Sequence, residues 1–224
     1  MKTQTTPLLL LLGAVLAQAA TAAVAPANDD ACACCKAQAA PDAPGAYTAT
    51  SIYLLDASFT DDSGRQTTLG SLRGRPVVLA MFFTSCGYAC PLQVSDMQKI
   101  LARLPSGVRE RAAFVLVSFD AARDTPPSLA KYRAERSLGA QWTLLHGDND
   151  GIRELAALLG VKYRQEADGA FSHSNILTVL NPRGEIAYQR VGLSGGVDAT
   201  VAALVAACGQ APQPGAAGAP AGVP

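Results

Sequence analysis

Seven consecutive apolar residues, Val77-Val78-Leu79-Ala80-Met81-Phe82-Phe83, end three positions ahead of Cys86-Gly87-Tyr88-Ala89-Cys90-Pro91. A run without polar alternation predicts a strand covered on both faces, as in a sheet flanked by helices. Leu92, Met97, Ile100, Leu101 and Leu104 follow at helical spacing, and Pro91 suits a first turn. The two thiols therefore arrive where a strand hands over to a helix. Backbone N–H groups and the positive dipole end of such a helix favour thiolate, which is both the nucleophile and the metal ligand. If the helix includes both cysteines, positions i and i+4 share one face, about 5–6 Å apart at Cβ. That spacing admits one soft metal ion between the sulfurs or, after a small backbone adjustment, a disulfide. A purely structural disulfide fits this junction poorly, and metal holding and redox exchange both stay open on these residues alone.

The ends of the 224-residue chain differ from its middle. Met1-Lys2, an apolar core from Leu8 to Leu16 and Ala-rich sequence to Ala25 predict a cleaved signal peptide over 1–25. The apolar run falls short of the roughly 20 residues that span a bilayer, so no stable membrane span is expected unless that segment is retained as a tether. Residues 26–50 read as a flexible leader carrying Cys32, Cys34 and Cys35, and 210–224 as a disordered Ala/Pro/Gly tail. Export to an oxidising compartment, the periplasm in a bacterium, is the expected location, and disulfides persist there. Eighteen Lys and Arg balance eighteen Asp and Glu with no long basic run, so nucleic acid is not an expected partner.

Between these ends, residues 51–209 alternate short β-like and longer helical segments. Ile52–Leu55 and Gln66–Leu69 predict a hairpin about Asp61-Asp62-Ser63-Gly64. Strands follow at 77–83, 113–119 and 142–145. A helix led by Thr125-Pro126-Pro127 runs to about Ser137, and another over 152–159 stops at Gly160. A hairpin of 176–180 with 185–189 turns at Asn181-Pro182-Arg183-Gly184, and a last helix covers 197–208. The sum is an α/β domain of thioredoxin-like order: a central mixed sheet flanked by helices, with an N-terminal β-hairpin extension.

Four segments carry a more specific signal. They are Phe83-Thr84-Ser85-Cys86-Gly87-Tyr88-Ala89-Cys90-Pro91, Val117-Ser118-Phe119-Asp120 with Arg123-Asp124-Thr125-Pro126, Trp142 to Gly147, and Ser172-His173-Ser174 ahead of Asn181-Pro182-Arg183-Gly184. Together they resemble the SCO/SenC family of exported copper proteins over roughly Ser51 to Gly209. The resemblance implies a thioredoxin-like fold that binds one copper ion through Cys86, Cys90 and His173. It also implies service to the copper A site in subunit II of cytochrome c oxidase, with a further copper donor or thiol reductant as a second partner. Soft thiolates suit Cu(I), and an added imidazole lets such a site tolerate Cu(II). This chain has Gly87 and Ser172 where family members commonly carry Pro and Asp.

Function accordingly reads as a metallochaperone before an enzyme. A thiol-disulfide oxidoreductase using Cys86 and Cys90, or a copper or redox sensor, is the alternative. Asp120, at a strand end facing the same sheet edge, is a candidate outer partner of the site. Asp124 and Thr125 are expected to cap a helix, His146 to be a satisfied or exposed histidine, and Cys208 a buried small apolar residue. Asp148-Asn149-Asp150-Gly151 reads as a helix cap, since the remaining ligands of a calcium loop are missing. Cys32, Cys34 and Cys35 are auxiliary copper candidates or sites of simple oxidation.

Overall fold

The computed structural model describes residues 47–167, 169–193 and 195–209, and in it the apolar run becomes the inner strand of a seven-stranded sheet. The chain enters through a 3-10 turn at Ile52–Leu54 and forms a hairpin of β1 (Phe59–Asp61) and β2 (Gln66–Thr67). A second 3-10 turn at Leu69–Leu72 leads into β3 (Val77–Phe82). Helices α1 (Ala89–Arg103) and α2 (Ser106–Arg111) connect β3 to β4 (Ala113–Ser118), and α3 (Pro126–Glu135) connects β4 to β5 (Trp142–Gly147). After α4 (Asn149–Leu159) come a ribbon of β6 (Tyr163–Gln165) and β7 (Phe171–His173), the hairpin of β8 (Ile176–Leu180) and β9 (Ile186–Val191), and α5 (Asp198–Gly209).

Among the described residues the main sheet has the order β2-β1-β5-β4-β3-β8-β9, and β6 and β7 pair apart from it. β3, β4 and β5 are parallel, while β1 and β8 run against their neighbours. Every residue of β3, β4 and β8 is buried, which is why these strands are apolar apart from Ser118 and Thr178. The register Val77↔Ala113 to Phe82↔Ser118 brings the carboxyl ends of β3 and β4 side by side. Outside such ends is where open α/β sheets place their ligand sites.

Helix α1 buries Cys90, Gln93, Val94, Asp96, Met97 and Ile100, whereas Leu92 is 42% exposed. The buried stripe is thus rotated from the one the leucines alone suggest. Polar members of the stripe are matched: Gln93 Nε2 donates to the Ile176 carbonyl at 3.0 Å, and Asp96 accepts from the buried Arg190 at 2.7 Å. These bonds tie α1 to β8 and β9.

The sequence places the N-terminal hairpin too early. Ile52–Leu54 is a 3-10 turn because Ser51 caps it, its Oγ accepting from the Tyr53 N–H and donating to the Arg183 carbonyl. The expected turn is present, with Asp61 Oδ1 accepting from Ser63 and Arg65 N–H groups around Gly64. The second hairpin arm ends at Thr67 rather than Leu69, and the central strand at Phe82 rather than Phe83. Asp148 caps α4, accepting from Gly151 N–H at 2.7 Å, as the cap reading requires. The signal segment 1–25, residues 26–46 of the leader with Cys32, Cys34 and Cys35, and the tail 210–224 lie outside the described residues. Among the described residues no helix is long and apolar enough to cross a membrane.

Two turns yield tests of this packing. Gly160 (φ +69°) ends α4 in open space, whereas a Cβ on Gly184 (φ +82°) would lie 2.5 Å from the Tyr53 ring and 2.7 Å from Ser51 Oγ. Gly160→Ala should therefore cost about 1 kcal/mol from backbone conformation alone, and Gly184→Ala about 3 kcal/mol once overpacking is added. Urea midpoints measure both, and equal losses would show that Tyr53 turns aside freely. In the same turn Glu185 accepts from Thr48 and Asn181 and pairs with Arg183, which holds its carboxyl down to about 2. A depressed carboxyl stabilises the fold above its ordinary value of 4.5 and loses that contribution as pH falls through about 2. Glu185→Gln should thus be destabilised at pH 7 and converge on the native protein as pH drops; a constant gap in thermal midpoint would refute the ionic origin.

Candidate metal centre

Cys86 lies in the loop after β3, three residues before α1, so the two cysteines do not share a helical face as spacing alone suggests. The loop turns on a bond from Cys86 N–H to the Phe83 carbonyl, 3.3 Å, and Cys86 Sγ then accepts from Cys90 N–H, also 3.3 Å. The first sulfur thereby occupies part of the place a capping oxygen would take at the helix start. Cys90, the second residue of α1, is fully buried.

His173 arrives from a separate element, the β6–β7 ribbon that periodicity missed because each arm has only three residues. An aromatic cluster holds it. Phe83 packs on Phe171 at 5.3 Å, and Phe119 packs on Phe171 and Tyr163, both at 5.1 Å between ring centroids. The imidazole sits edge-on to Phe83 and 5.1 Å from Phe119. Its Nδ1 approaches the Ser174 carbonyl at 3.2 Å; since a carbonyl only accepts, Nδ1 carries the hydrogen and Nε2 presents its lone pair. That Nε2 is 3.9 Å from Cys90 Sγ, and the ligand atoms of Cys86, Cys90 and His173 all lie within 4.8 Å of one another. The backbone at Ser174 supplies the orienting acceptor, while Ser172 points to the exposed side of β7.

The two thiols are electrically unlike. Burial pushes Cys86 up, but hydrogen bonds from the backbone of Cys90, Tyr88 and Ala89 and from the Cys90 thiol outweigh it, and the thiol falls below its ordinary range. Burial pushes Cys90 far up; a Phe83 backbone bond works against this, while Cys86 and the charge of Asp124 add to it. A cleft of about 520 Å³ opens at Cys86, lined also by Tyr88, Arg123, Phe171 and His173.

The surrounding acids differ from their sequence-based roles. Asp120 is buried and pairs with Arg123 Nε; Arg123 in turn donates to the Gly169 carbonyl at 2.7 Å and lies over the Phe171 ring. Asp120 therefore supports the histidine ribbon through an arginine. Asp124 does not cap α3. Pro126 and Pro127 remove two of the N–H groups a cap would serve, and Thr125 makes no side-chain cap bond. The Asp124 carboxylate instead accepts from Thr84 N–H at 2.9 Å, from the Thr84 hydroxyl and from Ser118 Oγ at 2.5 Å. His146 lies on β5 opposite Thr60, in a different cleft, and is half-buried; its Nδ1 has no partner among the described residues. Cys208 is buried on α5 as expected.

Comparison with known proteins adds to this geometry. The family model described as SCO1/SenC matches residues 48–203. A Stutzerimonas stutzeri protein named "Putative copper-binding protein" is 31% identical over 130 residues, covering 56% of this chain and 63% of that protein. The match thus spans less than two thirds of that relative's length. Among solved structures, Arabidopsis thaliana ScoI with copper bound is 25% identical with a TM-score of 0.58, over 69% of this chain and 96% of that one. BsSco, a member of the Sco family of cytochrome c oxidase assembly proteins in which a disulfide switch was identified, shares the fold. It is 22% identical with a TM-score of 0.60, over 70% of this chain and 94% of that one.

Unequal thiols should show in their reactivity. With iodoacetamide, the reduced protein should be labelled first at Cys86, at a rate that rises with pH and whose midpoint lies lower than that of an ordinary thiol. Cys90 should stay unlabelled until the protein unfolds. Mass spectrometry distinguishes the two sites, and equal labelling in the native state would refute the assignment.

Proposed function

The chain belongs to the SCO1/SenC family, and from that premise we propose an exported copper-binding protein that holds one copper ion through Cys86, Cys90 and His173. It delivers that ion to, or prepares the thiols of, the copper A site in subunit II of cytochrome c oxidase. The observation that carries the reading is the convergence of three donor atoms, from the loop after β3, helix α1 and strand β7, within 4.8 Å. Two thiolates and a neutral imidazole form a donor set for Cu(I) that also accepts Cu(II). Copper is cargo here, and the chain's work is to present ligands and release them.

The division of labour among the ligands follows from burial. Cys90 sits under the surface on the helix, and His173 is fixed by the aromatic cluster and the Ser174 carbonyl. Cys86 is partly exposed on the cleft, where an incoming thiol or imidazole of the partner can replace it. The setting is the periplasm, reached by way of the N-terminal segment.

The contrast between the thiols also supports a second reading, a thiol-disulfide oxidoreductase. The Cys86 thiolate attacks a partner disulfide, forming a mixed disulfide and releasing one partner thiolate. Cys90 then loses its proton and attacks Cys86 Sγ, releasing the second partner thiol. The partner gains two electrons and the chain ends with a Cys86–Cys90 disulfide, which an external thiol reductant must reopen. His173 takes no part in that sequence.

Anaerobic titration of the reduced protein with Cu(I) and with Cu(II) separates the two. One copper per chain is expected, with His173→Ala weakening binding by at least about tenfold, no less than the loss of an outer partner at other metal sites. Its thermal midpoint should be nearly unchanged. Unaltered copper affinity in that variant would sink the ligand set, and a readily exchanged Cys86–Cys90 disulfide with weak metal binding would favour the oxidoreductase.

A further inference from the structure

The ligand set does not explain the placement of Asp124. Its side chain belongs to the loop after β4, yet it reaches across to the loop after β3 and is 1% exposed. It accepts from three donors, Thr84 N–H, the Thr84 hydroxyl and Ser118 Oγ, and Ser118 Oγ in turn accepts from Asp120 N–H at 3.0 Å. Ser118 thus has its own hydrogen free to give to Asp124, so every contact of the carboxylate is that of an acceptor. Among the described residues no cation pairs with it: Arg123, one residue away, is turned to Asp120.

This anion lies next to the candidate centre in two ways. Thr84, which it holds by both backbone and side chain, is two residues before Cys86. The amide before that of Thr84, on Phe83, bonds to Cys90, and the charge of Asp124 bears on the same thiol. In a buried setting screening is weak, and a carboxylate acts on neighbouring charge far more strongly than it would in water. Two thiolates and a neutral imidazole leave the centre with one net negative charge around Cu(I) and none around Cu(II). A nearby carboxylate repels the first state and is indifferent to the second.

We propose that Asp124 is a positioning residue that sets which copper ion the centre prefers: it anchors the Cys86 loop through Thr84, and its buried charge biases the site toward Cu(II). The assignment rests on the reading of Cys86, Cys90 and His173 as copper ligands. A structural role alone would alter both affinities together, whereas a charge effect changes their ratio.

The test uses the full chain, with Cu(I) and Cu(II) affinities measured by competition and the potential of the copper-loaded protein measured against redox mediators. Asp124→Asn and Asp124→Ser both remove the charge while leaving an acceptor for Thr84. Each should raise the ratio of Cu(I) to Cu(II) affinity by about tenfold, equivalent to an upward shift of about 59 mV for a one-electron couple. Ser118→Ala keeps the charge and removes one hydrogen bond; it should lower the thermal midpoint and leave the ratio unchanged. An unchanged ratio in both neutral variants overturns the proposal. So does failure of both to fold while Ser118→Ala folds, because Asp124 would then be a fold determinant only. If the native protein takes up no copper, the ligand reading itself fails, an outcome distinct from an unchanged ratio in proteins that bind.

Discussion

Everything at the candidate centre depends on the parallel pairing of β3 with β4, six residues against six without an exposed side chain. Because the two strands end at the same level, the loop with Cys86 and the loop with Asp120 and Asp124 meet at one sheet edge. Parallel pairing also requires a crossover, and α1 supplies it, with Cys90 in its first turn. A single constraint thus delivers both thiols and the acids beneath them. The histidine is brought by different forces, since β6 and β7 form no ladder with the main sheet and dock through Phe83, Phe119, Phe171 and Tyr163.

That difference in support matches a difference in chemistry. The thiols are governed by backbone: amides at the start of α1 stabilise charge on Cys86, while depth and a neighbouring carboxylate oppose it on Cys90. The imidazole is governed by packing and one carbonyl, which fix its plane and its tautomer. Asp120 joins the two halves through Arg123, whose guanidinium spans from the β4 loop to Gly169 and Phe171 of the ribbon.

Elements that depend on their own residues were legible in the sequence. Val77–Phe82 and Ala113–Val117 are apolar throughout because they are buried throughout. The Asp148 cap, the Gly160 stop and the Asn181–Gly184 turn each use a residue whose local chemistry has few alternatives. Cys86 and Cys90 stood out by their place between a buried run and a helix, whereas His173 was found through resemblance to a family, since periodicity offered no sign that a histidine 83 positions after Cys90 would approach it. Misreadings came where a distant partner decided. Ile52–Leu54 is curled because Ser51 finds Arg183, Leu92 faces outward because Gln93 finds Ile176, and Asp124 leaves α3 uncapped because Thr84 and Ser118 compete for it. The ribbon's arms are too short to announce themselves, though Gly169 between two aromatic-bearing segments was a hint of a turn.

The bond from Gln93 to the Ile176 carbonyl has a mechanical consequence. It clamps the helix bearing Cys90 to the start of the strand that follows His173, so those two ligands belong to one stiff frame. Cys86 is outside that frame, followed by Gly87 with open space around it. Of the three donor atoms, two thus stand on elements bolted to one another, and the third stands on a loop held at its near end by Thr84 and at its far end by the Cys90 N–H, with its slack confined to Gly87.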